Sequence, residues 1–325
     1  MILYSKDNIT KAVTAMKTGG RMAHGFFLTG EKGVGKKTAA AYIAKVLMCE
    51  SCTDGVPCGK CRHCRRIDEN IHPDVIRPER SGIKQIYSRD TIREVCSDAF
   101  TAPNDCDAKV YIFADCESIE ERSQDLMLKL IEEPPDTAYF IFTAADRSAL
   151  ISTILSRVIT FGISECSEEE CRRALADMGK YTSEQIEKAA EAYHGNIGSC
   201  IEYLENGAAA ENAVLCTRII DSLIKNSEYE LNKALYDIGE NREKIKDVLA
   251  LTDKVIRDVC IIRLNGKENV PLIGCYGSGA ERLAERLSFR RAENIHNLLC
   301  RTIDYCKANV NVPVAMSALG GQLMG

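Results

Sequence analysis

Two groups of residues could do chemistry, and one helix separates them. The first is Gly30-Glu31-Lys32-Gly33-Val34-Gly35-Lys36-Lys37-Thr38, which has the spacing G-x-x-x-x-G-K. In that spacing backbone N–H groups wrap phosphates, and Lys36 would reach the outer phosphate oxygens. Gly30, Gly33 and Gly35 allow the wrap because they have no side chain and tolerate positive φ. One position departs from the pattern: the hydroxyl that ligates Mg²⁺ directly after the lysine is Lys37. Thr38 comes one residue late and should point about 100° away around the helix. The second group is Cys49, Cys58, Cys61 and Cys64. Four thiolates suit tetrahedral Zn²⁺, with an iron–sulfur site as the rival. Cys52 and His63 are alternatives to Cys49 as the fourth ligand. Nothing in the set leaves a coordination position open, so the metal should be structural, stabilising a segment too polar to fold alone. Pro57, Gly59 and the lack of apolar residues from Cys58 to Arg66 predict a loop there.

The elements that must position these residues follow from short apolar runs. A helix over residues 5–20 leads to a strand at Phe26–Thr29, which ends in the glycine loop as a phosphate site requires. Further runs lie at Asp74–Arg77, Val110–Ala114, Tyr139–Thr143 and Val158–Phe161. Helical patterns separate most of them, including Ser123–Glu133, which Pro134-Pro135 stops. Alternating strands and helices predict a doubly wound parallel sheet. Beyond Phe161 the pattern is helical. Ser167-Glu-Glu-Glu170 is a capping box, a helix runs from Ser183 to His194, and Asn206-Gly207 marks a boundary. Ile295, Leu298, Leu299, Ile303 and Cys306 then form one stripe, and Asn311 with Pro313 starts a last helix. The expected division is 1–162 α/β with the metal knuckle at 49–64, 163–207 a small helical lid, and 208–325 an all-α bundle.

Composition narrows the class. The 325 residues are 45% hydrophobic, enough for proper cores, and 42 basic against 47 acidic residues give a net charge of −5. That charge argues against a surface that tracks nucleic acid along its whole length. Lys60, Arg62, Arg65 and Arg66 around the knuckle leave a zinc-stabilised nucleic-acid-binding protein as a third functional class, with a solvated basic loop the commoner explanation. The first residues are too polar for a signal peptide and no stretch is apolar enough to span a bilayer, so a cytoplasmic protein without membrane contact is expected. In a reducing compartment, the 16 cysteines read as four ligands plus small buried hydrophobes such as Cys260, Cys300 and Cys306. His24, His194 and His72-Pro73-Asp74 read as structural.

Taken in order, His24-Gly-Phe-Phe-Leu28, the glycine loop, the four cysteines, His72-Pro-Asp74, Val110-Tyr-Ile-Phe113, Leu128-Lys-Leu-Ile-Glu-Glu-Pro-Pro135 and Thr153-Ile-Leu-Ser-Arg157 resemble the bacterial DNA polymerase III clamp-loader ATPase family. The resemblance is dense to about residue 205 and weaker in the bundle, where Asn309-Val-Asn311 looks like the entry to the family's last helix. It implies an AAA+ P-loop domain, a lid, and a C-terminal bundle that joins a collar of subunits. It also implies partners: gamma/tau and delta subunits, and through the assembly a sliding clamp and primed DNA. The family holds working gamma/tau ATPases and a degenerate relative, the delta prime subunit. Counted without gaps from Glu132-Glu133-Pro134, the metal-binding aspartate falls on Ala114 and the catalytic glutamate on Asp115. An alternative register with Asp115 and Glu117 in those roles needs an insertion. The sensor threonines fall on Ala144-Ala145, and the lid arginine on Gly198. With Lys37 these make four losses, each removing a metal ligand or a γ-phosphate contact. The resemblance therefore implies a delta prime-type stator that holds ATP or ADP, if at all, without hydrolysis. Arg157 is retained, and in the family it reaches a neighbouring subunit's ATP as an arginine finger. The runner-up is an active gamma/tau-type ATPase, which the intact Gly30–Lys36 loop favours.

Overall fold

The computed structural model describes residues 7–82, 86–205, 207–266, 272–308 and 310–324. Asn206 and Asn309, used above, lie outside the described residues. The chain divides into two compact units, Met1–Cys166 and Ser167–Gly325.

In the first unit, α1 (Asp7–Thr18) precedes β1 (Gly25–Thr29), and the glycine loop leads into α2 (Lys36–Met48). Next come α3 (Arg62–Asp68), β2 (Val75–Ile76), α4 (Arg89–Asp98) and β3 (Lys109–Phe113). The unit closes with α5 (Glu121–Gln124), α6 (Leu128–Glu132), β4 (Ala138–Ala144), α7 (Ser152–Leu155) and β5 (Ile159–Gly162). All pairings are parallel and the strand order is β2-β3-β4-β1-β5. Alternation along the strands shows why both faces need cover. Phe26, Leu28, Val110, Ile112 and Ile141 point into a core shared with α1 and α2, whereas Phe27, Tyr111, Phe113, Phe140 and Phe142 point into one shared with α4, α6 and α7. On that second face Tyr111 stacks on Phe140 at 5.4 Å and Phe113 on Phe142 at 5.3 Å.

Three local expectations change. Arg62–Asp68 is helical rather than loop, with Cys61 as its N-cap. Its buried residues are His63, Cys64 and Ile67, so the inward face is built from a thiol and an imidazole as much as from an aliphatic group. The helix expected over Ser123–Glu133 is broken into α5, a 3-10 turn at Asp125–Met127, and α6. Met127, Leu130 and Ile131 are nevertheless buried as their spacing requires. Of the cysteines read as buried hydrophobes, Cys306 is buried but Cys260 and Cys300 only partly so.

The second unit is helical throughout its described residues: α8 (Glu168–Asp177), α9 (Ser183–Tyr193), α10 (Ile197–Glu205), α11 (Ala208–Lys225), α12 (Glu228–Ile238), α13 (Arg242–Asn265), α14 (Gly277–Arg286), α15 (Phe289–Lys307) and α16 (Val312–Met324). Ser167 and Glu170 form the expected capping box, and the Asn311 side chain accepts from the Val314 N–H at 3.2 Å to start α16. α9 ends at His194 in a left-handed conformation with φ 31°. The His194 ring bridges Glu168 at 2.8 Å and the Gly274 carbonyl at 2.9 Å, a structural role. No helix of the described residues is long and apolar enough to cross a membrane.

One buried carboxylate explains the His72-Pro73-Asp74 motif. Asp74 is fully buried, and its oxygens accept from the N–H groups of Asn104 at 2.6 Å, Asp105 at 2.7 Å and Cys106 at 3.2 Å, and from the Asn104 amide at 3.0 Å. It thereby fixes the chain entering β3. Burial alone would raise its pKa, but these donors outweigh burial and hold it below the ordinary aspartate value of 3.8. A depressed folded-state pKa gives stability that is complete above the unfolded value and is lost as pH falls through the folded one. Asp74→Ala is therefore expected to cost roughly 3 kcal/mol at neutral pH in urea denaturation, from lost charge-assisted bonds and orphaned N–H groups. That deficit should shrink as pH is taken below 3.8. Equal stability of variant and parent at neutral pH would contradict this role.

Candidate functional site

The glycine loop lies at the C-terminal end of β1, between β4 and β5. The Gly30 N–H is shared between the carbonyls of Ala144 at 3.2 Å and Ala145 at 3.1 Å, which ties the loop to the end of β4. Gly30 has φ 151°, and a Cβ there would stand 2.2 Å from the Ile163 carbonyl oxygen, so only glycine fits. Gly33 and Gly35 have φ 88° and 96°, and Gly35 caps α2 without a side chain, leaving the first N–H groups of the helix to the loop's interior. Lys36 Nζ donates to the Glu31 carbonyl at 2.8 Å and to the Gly30 carbonyl. Burial lowers its pKa, with Asp115, Glu117 and Glu31 acting in the opposite direction.

The groups facing the loop come from the ends of β3 and β4. Ala114 is the first residue beyond β3 and Ala144 the last of β4, so neither strand end offers a ligand atom from its side chain. Asp115 adopts a left-handed conformation, φ 53°. Its carboxylate pairs with Arg80 at 3.2 Å and its N–H donates to Thr143 Oγ1 at 3.2 Å. Glu117 accepts from the Ala145 N–H. Lys37, Thr38, Arg77, Arg80, Tyr87 and Ala114 contribute to the wall of one cavity of about 340 Å³. Thr38 thus lines the same cavity as Lys37. Gly198 lies in α10 and carries no side chain to offer a phosphate.

Arg157 follows α7 and is partly exposed. Its guanidinium donates to Glu132 at 2.6 Å, to the Thr153 carbonyl at 2.8 Å and to Ser156 Oγ at 3.0 Å. Glu132 belongs to the Leu128–Pro135 segment, so the two most specific motifs of the sequence meet in one ion pair.

The four cysteines come together. Cys49 ends α2, Cys58 and Cys61 flank Gly59, and Cys64 sits in α3, with all four Sγ atoms within 4.8 Å of one another. Tetrahedral zinc with Zn–S near 2.3 Å needs S···S of about 3.8 Å, which this cluster meets with small adjustments. Backbone N–H groups of Cys58, Cys61 and Cys64 donate to the sulfurs of Cys49, Cys58 and Cys61 at 3.2, 3.3 and 3.4 Å. N–H groups of Lys60 and Cys61 lower the Cys58 pKa to about 6, favouring the thiolate that binds metal. Cys52 is not part of the cluster among the described residues. His63 faces the other way. The Asp74 N–H donates to His72 Nδ1 at 3.1 Å, so His72 Nε2 carries the proton and donates to His63 Nδ1 at 2.8 Å, leaving His63 Nε2 to donate to Glu50 at 3.2 Å. This relay ties α3 to β2. Of the basic residues around the knuckle, Arg62 pairs with Glu50 at 2.8 Å and Arg66 with Asp105 at 2.6 Å, so both are partly neutralised. His24 bonds the Ala138 carbonyl at 2.8 Å and stacks on Tyr139, a structural role.

Residues 5–167 match the family described as "DNA polymerase III, delta subunit". The chain belongs to this family of DNA polymerase III clamp-loader subunits. Among its relatives, DNA polymerase III subunit gamma of Buchnera aphidicola from Acyrthosiphon pisum is 29% identical over 250 residues, covering 74% of this chain and 68% of that one. Subunit tau of Escherichia coli is 26% identical over 220 residues, covering 65% of this chain and 34% of tau, so the match spans about a third of that longer protein. In fold the chain is similar to a DNA polymerase III gamma subunit-related protein from Thermotoga maritima, with TM-score 0.51, 14% identity, and coverage of 97% and 98%. An AAA+-like parallel five-stranded α/β unit followed by helices is thus the fold of this clamp-loader subunit.

Arg80, on Asp115, was not anticipated, and Glu117 and Glu132, both named from the sequence, make contacts that their motifs do not specify. For the knuckle, elemental analysis of purified protein should find one zinc per chain, and Cys61→Ser should abolish it. Loss of about 2 kcal/mol or more on chelation should lower the melting temperature by roughly 4–8 °C. Protein free of zinc with an unchanged melting temperature would exclude a structural metal.

Proposed function

We propose that the chain is a delta prime-type stator of the DNA polymerase III clamp loader, supporting ATP-dependent loading of a sliding clamp onto primed DNA without hydrolysing ATP itself. The observation that carries this is that Lys37 and Ala114 line one cavity: the two positions expected to hold Mg²⁺ both lack an oxygen ligand in their side chains. Asp115, which follows Ala114 in the chain, is engaged by Arg80. Ala144 and Gly198 remove two further γ-phosphate contacts by the same reasoning. Phosphoryl transfer depends almost wholly on positioned charge, so these losses fall on the terms that supply the rate. The glycine loop is then kept for structure or for binding ATP or ADP without turnover.

On this proposal Arg157 acts in trans. Its ion pair with Glu132 holds it at the surface, partly exposed, where a neighbouring subunit could take it up. Residues 163–207 serve as the lid and 208–325 as the collar that meets gamma/tau and delta subunits, in a cytoplasmic assembly. The zinc knuckle stabilises the α/β unit.

A second reading has a specific observation in its favour. The curated relatives include gamma and tau subunits, at 24% to 29% identity. An active gamma/tau-type motor would have to place Mg²⁺ without the side chains at 37 and 114. ATP turnover by the isolated chain separates the two. The stator predicts phosphate release at background in Mg²⁺, unchanged by Lys36→Ala. Mg²⁺-dependent hydrolysis that Lys36→Ala abolishes would establish the motor instead.

A further inference from the structure

The Mg²⁺ position has lost its anionic ligands but has not lost its positive charge. In a working site, Mg²⁺ and its aspartate together place one net positive charge beside the β- and γ-phosphates. Here the aspartate position is the neutral Ala114, and the hydroxyl position carries the ammonium of Lys37, which again gives one net positive charge. The substitutions therefore compensate each other electrostatically, although each alone would unbalance the site. Alanine at 114 also leaves the space: Lys37 and Ala114 line the same cavity of about 340 Å³. A lysine side chain in the first turn of α2 reaches ~6 Å from its Cα on a flexible four-carbon stem, enough to turn toward a phosphate in the loop.

The surroundings suit an anion better than a metal. Arg77 lines the cavity half-buried, and among the described residues neither it nor Lys37 has a hydrogen-bond or ion-pair partner. Arg80 occupies the Asp115 carboxylate, and Glu117 is taken by the Ala145 N–H. Asp68, the carboxylate in the cavity wall, is paired with Lys45 at 2.7 Å, so a divalent cation entering here would meet arginine, lysine and a carboxylate already engaged.

We propose that Lys37 replaces the metal ion, so that the chain binds a nucleoside di- or triphosphate independently of Mg²⁺, with Lys37 neutralising the phosphates beside Lys36. This rests on reading Gly30–Lys36 as a nucleotide loop without turnover. Lys36 would exchange its bonds to the Gly30 and Glu31 carbonyls for phosphate oxygens, and no covalent step is involved.

The test is equilibrium titration of the full-length, zinc-loaded chain with fluorescently labelled ADP, in Mg²⁺ and in Mg²⁺-free buffer. Metal-free conditions should come from a Mg²⁺-depleting resin step before the titration, with zinc content checked afterwards. Affinity is expected to agree within about twofold between the two buffers and to fall tenfold or more in Lys37→Ala in both. The double variant Lys37→Thr with Ala114→Asp should bind only when Mg²⁺ is supplied, with circular dichroism confirming its fold. Wild-type binding that requires Mg²⁺, no binding in either buffer, or unchanged affinity in Lys37→Ala would each overturn the proposal. Phosphate release from ATP is followed in the same samples. Release overturns the stator reading, whereas Mg²⁺-dependent binding without release overturns only the role of Lys37.

Discussion

Asp74, with its buried carboxylate and its own N–H, links the helix that carries Cys64 to the strand that faces the phosphate loop. On one side it binds three successive backbone N–H groups ahead of β3 and so fixes where that strand begins. On the other, its own N–H orients His72, which bonds His63 in the helix that carries Cys64. A charge this deeply buried is tolerated only because every lone pair has a donor. With β3 fixed, Ala114 and Asp115 come to stand opposite Lys36 and Lys37. The glycine loop, one helix upstream, is joined to the same network because α2 ends at Cys49. The knuckle and the loop are thus opposite ends of one short helix, and the geometry of each constrains the other.

Much of this was legible in the chain. All five strands were visible as short apolar runs, because a sheet covered on both faces leaves no polar alternation to obscure them, and their ends shifted by only a residue or two. The capping box at Ser167 and the entry to α16 at Asn311 were equally plain, since local side-chain chemistry specifies them. α3 was not, because a helix whose inward face is Cys64 and His63 has almost no hydrophobic periodicity to detect. Its formation depends on thiolates and a histidine pair nine residues apart, which only the folded chain brings together.

The glycine loop and the four cysteines are visible from spacing alone, and it is Cys49 rather than Cys52 that stands with the other three. What spacing could not give is a set of contacts: Arg80 on Asp115 and Glu117 on the Ala145 N–H beside the loop, and Glu132 on Arg157 away from it. These contacts join segments 25 to 35 residues apart or come from loops without periodicity. They matter because they engage the groups nearest the loop and the retained arginine in contacts within the chain.

On the proposed stator role, Arg157 acts on a neighbouring subunit's ATP rather than on the chain's own loop. The most direct measurement is single-turnover ATP hydrolysis by the clamp loader reconstituted with gamma/tau and delta subunits, comparing wild type with Arg157→Ala at matched assembly. A finger in trans predicts a loss of roughly 10³-fold or more at the adjacent ATP, by comparison with other arginine fingers. Hydrolysis unchanged by Arg157→Ala in an intact assembly would contradict it, and would leave the Glu132 ion pair as the arginine's whole role.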